Sequence, residues 1–191
     1  MSLAKRGTLY THSGKVAFPG GAPSLVDIAI SLSREGRYVG HGMRWWPVAL
    51  HSFVVADLLT DEYKFDGLMH DAPESVSGDV PTPCKSDAIE EFEDLRQADI
   101  YTSLGVYLPS TEEYGPIKIA DRCALCGEVY TVGTQALQDV YGREPEVEDI
   151  IFNYLDKYTY ADCLESSGRV PIEFMRRFRK YKDMLPTSRL I

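Results

Sequence analysis

Cysteine is scarce in this chain of 191 residues: Cys84, Cys123, Cys126 and Cys163 are its four. They are too few and too scattered for a disulfide framework, which fits a reducing compartment. Long apolar runs are missing as well, so no membrane span is expected. The N-terminus, MSLAKRGTLY, has basic residues but no apolar stretch leading to a cleavage-like site, and a secretory signal is not expected. The chain is read as cytoplasmic, in a host cytoplasm if its source is viral. Basic residues are outnumbered, 20 Lys and Arg against 29 Asp and Glu, a net charge of -9. That balance argues against broad duplex binding, and no nucleic-acid partner is expected, although a few cations focused in a cleft can still hold a small phosphorylated ligand. The one dense basic run, MRRFRKYK at 175–182, carries Phe178 and Tyr181 at helical spacing with Phe174 and reads as an amphipathic helix docking on the domain.

No composition break divides the chain, so one domain spanning 1–191 is expected, with helices at 147–185 packing on an earlier core. A strand-and-turn lead-in, a hairpin around Thr8 to Phe18, precedes an all-α body. Ser24 is the expected cap of a helix that Gly36 ends, and a second helix runs from Pro47 to Leu59 with Val48, Val55 and Leu58 on one face. A short helix carries Phe65, Leu68 and Met69 into His70. Further helices are expected at Asp87–Leu104, Ile117–Gln138, Val147–Glu165 and Pro171–Tyr181.

The remaining question is why LMHDAPESVSGDVPTPCK, residues 68–85, gathers titratable groups where apolar residues have just announced a core. His51 falls on the apolar face of the second helix. Asp121 lies four residues after Ile117 and four before Leu125, which puts its carboxylate on an apolar stripe. Three helices therefore send polar groups inward: His51, then His70 with Asp71, then Asp121. Buried carboxylates persist when paired or metal-bound, and two imidazoles with two carboxylates suit a divalent ion of the Mn, Co, Fe, Mg or Zn group. Four protein ligands leave an octahedral ion open positions for water and substrate. Taken singly, each residue has a plainer reading: a core histidine for His51, turn or cap residues for Glu74 and Asp79, solvated lysines for Lys85 and Lys118, and small packed residues for Cys123 and Cys126.

The order His, His-Asp, Asp, with "RYVGH" and "VALHS" before the long motif and "IKIADR" after it, resembles the HD-domain metal-dependent phosphohydrolase superfamily. The likeness is to the small branch containing bacterial 5'-deoxynucleotidases and viral dNTP or dATP hydrolases, and it covers roughly Val26 to Glu128. The extended string HDxxExxxGDxPTPxK is what makes it specific. It implies an HD-type helical bundle with His51, His70, Asp71 and Asp121 as metal ligands, Glu74 in acid/base catalysis and Asp79 as a second acid at the catalytic or sugar end. Arg37 occupies the branch's phosphate-binding arginine slot, and Tyr38 replaces the Trp often found beside it. Lys85, Lys118 and His41 are further candidates for the phosphate, and Glu128 for a place behind the ligands.

The expected activity is hydrolysis of (deoxy)nucleoside 5'-monophosphates to nucleoside and phosphate. Release of triphosphate from dNTPs is the enzymatic alternative, and a metal-holding nucleotide sensor with negligible turnover the non-enzymatic one. Participation of both Lys85 and Lys118 would favour the longer phosphate chain. The aromatic C-terminal helices offer a surface for a homo-oligomer whose stoichiometry no residue pattern fixes.

Overall fold

Side-chain caps start some of the helices. In the computed structural model, which describes residues 8–17, 20–141 and 168–191, two short strands, β1 (Thr8–Tyr10) and β2 (Lys15–Ala17), pair antiparallel as a hairpin. The body that follows is all helix: α1 (Leu25–Leu32), α2 (Val48–Leu58), α3 (Lys64–Met69), α4 (Glu74–Ser77), α5 (Asp87–Ser103), α6 (Thr111–Val132), α7 (Gln135–Tyr141) and α8 (Arg169–Lys182). The helix expected at 147–165 lies outside the described residues, as does Cys163.

Ser24 caps α1 through a reciprocal box: its hydroxyl accepts from the Asp27 N–H, and the Asp27 carboxylate accepts from the Ser24 N–H. The same carboxylate takes the Ser13 N–H at 2.8 Å, which ties the hairpin turn to the helix start. The helix ends at Leu32, short of Gly36, because the Ser33 hydroxyl folds back onto the Ala29 carbonyl at 2.6 Å. Gly36 serves a different purpose. It lies against the Trp45 ring, and a Cβ there would approach Cζ3 to 2.8 Å.

Among these helices α2 is the centre of the molecule. Val48 through Ala56 are buried without exception, so the expected single apolar face is in fact an apolar cylinder. It packs against α3 and α6, with α8 covering its other side. The α2–α3 approach is close because Gly67 has no side chain: a Cβ would meet Leu59 Cδ1 at 2.4 Å and the Ala56 Cα at 3.2 Å. Buried residues of α1, α2, α3, α5, α6 and α8 form one apolar cluster.

The start of α6 was expected at Ile117, after Pro116, but it begins at Thr111. A second reciprocal box, Ser110 with Glu113, nucleates it, and Pro116 is carried inside the helix. It stops at Val132, where Gly133 closes against the Val129 carbonyl, so the segment expected as one helix to Gln138 is two, α6 and α7. The basic run at 175–182 docks as the aromatic spacing predicts. Phe174, Phe178 and Tyr181 are buried, each ring contributing about 1.5–3 kcal/mol if fully removed from water. Arg177 turns inward to Asp57 at 2.8 Å with its guanidinium over the Phe53 ring. Among the described residues no helix is long and apolar enough to cross a membrane.

Candidate metal centre

Three neighbouring helices deliver the sequence motif to one place. α2 holds His51 fully buried, α3 ends at His70, and α6 brings Asp121 and, two turns on, Glu128. The His70 ring is oriented by the Gly67 carbonyl, 2.8 Å from Nδ1, which turns Nε2 toward the other helices. His51 is oriented in the same way by Glu128, whose Oε1 lies 2.8 Å from Nδ1. A third constraint comes from α5, where the buried Gln97 amide donates to the Met69 carbonyl at 3.0 Å and pins the end of α3.

With their Nδ1 atoms occupied, both imidazoles point Nε2 at the same carboxylates. His51 Nε2 lies 2.9 Å from Asp121 Oδ1 and 3.6 Å from Asp71 Oδ2; His70 Nε2 lies 3.2 Å from Asp71 Oδ1 and 3.7 Å from Asp121 Oδ1. Bonds of about 2.0–2.2 Å to one ion place neighbouring nitrogen and oxygen ligands about 3–3.6 Å apart, the spacing found here. Ligand atoms of His51, His70 and Asp121 all lie within 4.8 Å of one another. Neither Nε2 makes a well-directed hydrogen bond, although both are buried. Two shielded, unsatisfied ring nitrogens facing carboxylates fit a divalent cation.

Charge balance supports the same fit. Asp71, Glu74, Asp79, Asp121 and Glu128 surround the cleft, with Arg37 and Lys85 as the nearby cations. Burial and Arg37 disfavour a charged His51, but Glu128 and Asp121 outweigh them and hold the ring up to about 10. Burial alone would raise Asp121, yet its contacts with His51 and His70 pull it well below the usual carboxylate range. A divalent ion would require neutral imidazoles, so its binding there would displace these protons. One expectation needs correction here: Asp121 is not on a buried stripe. Its side chain is 45% exposed, because this stretch of α6 borders the open cleft.

Glu74 opens α4 and is buried beside the ligands. Burial, then the charges of Asp71 and Asp79, raise its carboxyl well above the ordinary value. Gly78, at φ 79°, makes the turn that presents Asp79, whose N–H donates to Glu35 Oε1 at 3.4 Å. Burial raises Asp79 too. Arg37 Nε lies 3.0 Å from Glu128 Oε2, and Nη1 lies 3.8 Å from Asp71 Oδ2. Tyr38 lines the cleft and donates to Glu128 Oε2 at 3.3 Å. Its backbone and that of Val39 occupy the left-handed region at φ 60° and 53°, a costly conformation for a β-branched residue.

Lys85 lines the cleft, 3.9 Å from Glu74 Oε1, and is held by Glu93 at 2.8 Å. Sequence reasoning missed Glu93, which lies on α5 outside the motif and carries no signal beyond its nearness to Lys85 in the chain. Two candidates fall elsewhere. Lys118 is exposed with its Nζ over the Tyr114 ring, and His41 is exposed; neither lines the cleft. Trp46 is buried, and Trp45 packs on Gly36. Cys123 and Cys126 are half-buried on α6.

No family model matches the chain. A curated relative in Escherichia coli (strain K12), the uncharacterized protein YfdR, is 35% identical over 109 residues. The match spans 56% of this chain and 60% of the relative's own length, and the relative's name assigns no activity.

Proposed function

We propose that this chain is a divalent-metal-dependent phosphohydrolase of the HD type that cleaves nucleoside 5'-monophosphates to nucleoside and phosphate. The observation that carries the reading is the convergence of His51, His70 and Asp121, with Asp71 beside both imidazoles and Glu74 and Arg37 on the same cleft. The nucleotide class rests on the motif's resemblance to the small 5'-deoxynucleotidase branch. A bound divalent ion would supply Lewis-acid charge to the phosphoryl oxygens and acidify a water.

The chain's own residues account for the rest. Arg37 and Lys85, from different segments of the chain, both line the cleft and would offer cationic donors to the phosphoryl oxygens. Water attacks phosphorus, the bond from phosphorus to the 5' oxygen breaks, and that oxygen needs a proton to leave as the nucleoside hydroxyl. Glu74, buried between Asp71 and Lys85, is positioned to carry that proton. Asp79 lines the same cleft, where it would act as a second acid.

The volume and charge of the cleft favour a monophosphate over a triphosphate. The space is about 140 Å³, below the roughly 300–1,000 Å³ of pockets that enclose a whole ligand, so it takes a phosphoryl-sized group and leaves the nucleoside across the rim. Lys118, the second lysine a longer phosphate chain would recruit, is outside the lining. The test is product analysis: protein with Mn²⁺ or Co²⁺ is incubated with ribo- and deoxynucleoside mono-, di- and triphosphates, with Asp71→Ala and Glu74→Ala as controls. Nucleoside plus orthophosphate from monophosphates supports the reading. Intact triphosphate released from dNTPs replaces it with the triphosphohydrolase, and metal binding with no turnover on any substrate leaves a nucleotide sensor.

A further inference from the structure

Glu128 is the one fully buried carboxylate of the site that faces away from the reacting space, and it touches both halves of the proposed machinery. Oε1 lies 2.8 Å from His51 Nδ1, while Oε2 accepts the Tyr38 hydroxyl at 3.3 Å and forms an ion pair with Arg37, 3.0 Å from Nε without a well-directed hydrogen bond. We propose that Glu128 is a positioning residue that couples metal affinity to phosphate affinity, one oxygen fixing the His51 tautomer and the other seating Arg37 over the cleft. The inference rests on the phosphohydrolase reading for the role of Arg37.

The chemistry of a carboxylate makes this double duty possible. It accepts on both oxygens, so it can take the Nδ1–H of a neutral imidazole, leaving the Nε2 lone pair for an ion, and at the same time receive the guanidinium and phenol donors. A carboxamide cannot do both. If its oxygen faces His51, its NH₂ is pressed against Arg37 and Tyr38, donor against donor. If its oxygen faces Arg37, its NH₂ donates to Nδ1 and selects the tautomer with hydrogen on Nε2, which cannot ligate. The left-handed backbone at Tyr38 and Val39 fits this account, because the turn that carries Arg37 is held over the cleft by contacts to Glu128 and by the Arg37 N–H bond to the Trp46 carbonyl at 2.9 Å.

The test needs no nucleotide. Co²⁺ affinity is measured for the wild type, Glu128→Gln and Glu128→Ala by chelator competition and by the cobalt absorption spectrum. Orthophosphate affinity is then measured on each cobalt-saturated protein, with thermal unfolding as the folding control. Glu128→Gln is expected to lose about tenfold or more in one of the two affinities, within the range known for outer partners of metal ligands, and Glu128→Ala to lose both. If both affinities of Glu128→Gln stay within about twofold of wild type while its unfolding temperature falls, Glu128 is a structural carboxylate and the proposal is overturned; this variant decides the matter even if the alanine form does not fold. A wild type that takes up no cobalt overturns the metal centre along with it, whereas a protein that binds cobalt and phosphate but hydrolyses nothing removes only the enzymatic reading.

Discussion

Two buried ionic clusters are built around α3, one on the helix at Asp66 and one just past its end at His70 and Asp71, and they differ in whether their charges close. At Asp66 everything is matched. Arg189 reaches back from the C-terminal segment with Nη2 2.8 Å from Oδ1 and Nη1 3.1 Å from Oδ2, the Tyr101 hydroxyl donates at 3.0 Å, and Nε and Nη2 also donate to the Tyr107 carbonyl. At the cleft, carboxylates outnumber cations, two ring nitrogens lack well-directed partners, and Glu74 keeps a buried oxygen without one. Burial of charge is common to both, so burial alone does not mark function. What sets the cleft apart is its unmatched valence together with an excess of carboxylates around an open space, which a ligand could complete.

Removing a metal ligand should have the largest effect on the open cluster. His70→Ala is expected to weaken Co²⁺ binding by more than about 100-fold, beyond the usual loss for an outer partner, and to abolish hydrolysis. Without metal the variant should stay folded, though it loses the Nδ1 contact to the Gly67 carbonyl and the pairing with Asp71 and Asp121. A variant that unfolds yet still binds cobalt would erase the distinction between the clusters.

Glu74→Gln comes next. It should lower turnover by about 10²–10⁴-fold while metal uptake is retained, because the carboxamide fills the same space but cannot pass a proton. Steady-state rates and cobalt titration of one preparation separate these outcomes. A parallel loss of metal would make Glu74 a ligand instead of a proton carrier.

For the closed cluster the sign of the comparison reverses. Arg189→Ala leaves Asp66 buried with Tyr101 as its only remaining side-chain donor in that group, and breaking a buried pair in this way costs about 3–5 kcal/mol. Denaturant unfolding should show that loss, and cobalt affinity measured below the transition should remain within about twofold of wild type.

The contrast also explains what could be read from the chain beforehand. The meeting of His51, His70 and Asp121 was legible because each sits beside apolar residues that fix its helix, and because polar groups sent inward from three helices need one another or a ligand. The Asp66–Arg189 pair left no such trace: its members are far apart in sequence, and any acid and any base could have met there. Lys118 misled for a related reason. Three residues before Asp121 is one helical neighbour away, but α6 lies along the cleft edge, and that small rotation turns the lysine out to solvent. The helix boundaries failed where a side chain competed with the backbone, at Ser33, or where a capping box outweighed a proline, at Ser110.

Asp27 supplies the smallest effect and a third kind of carboxylate, one closed entirely by neutral donors. It accepts from the Ser13 N–H, the Ser24 N–H and the Ser24 hydroxyl, with no cation among them. Burial would raise its pKa, but these hydrogen bonds lower it more, to below 3.8. A group whose folded pKa lies below its unfolded value stabilises the fold above the unfolded value and ceases to do so as pH falls through the folded one. Asp27→Ala should therefore cost about 0.5–2 kcal/mol at neutral pH, the usual range for losing a helix cap. That difference from wild type should stay constant down to about pH 5 and shrink below pH 3.8, as measured by denaturant unfolding across the range. A difference that persisted unchanged into acid would mean that Asp27 acts through its packing, and that hydrogen bonds from neutral donors do not close a buried carboxylate as a guanidinium does.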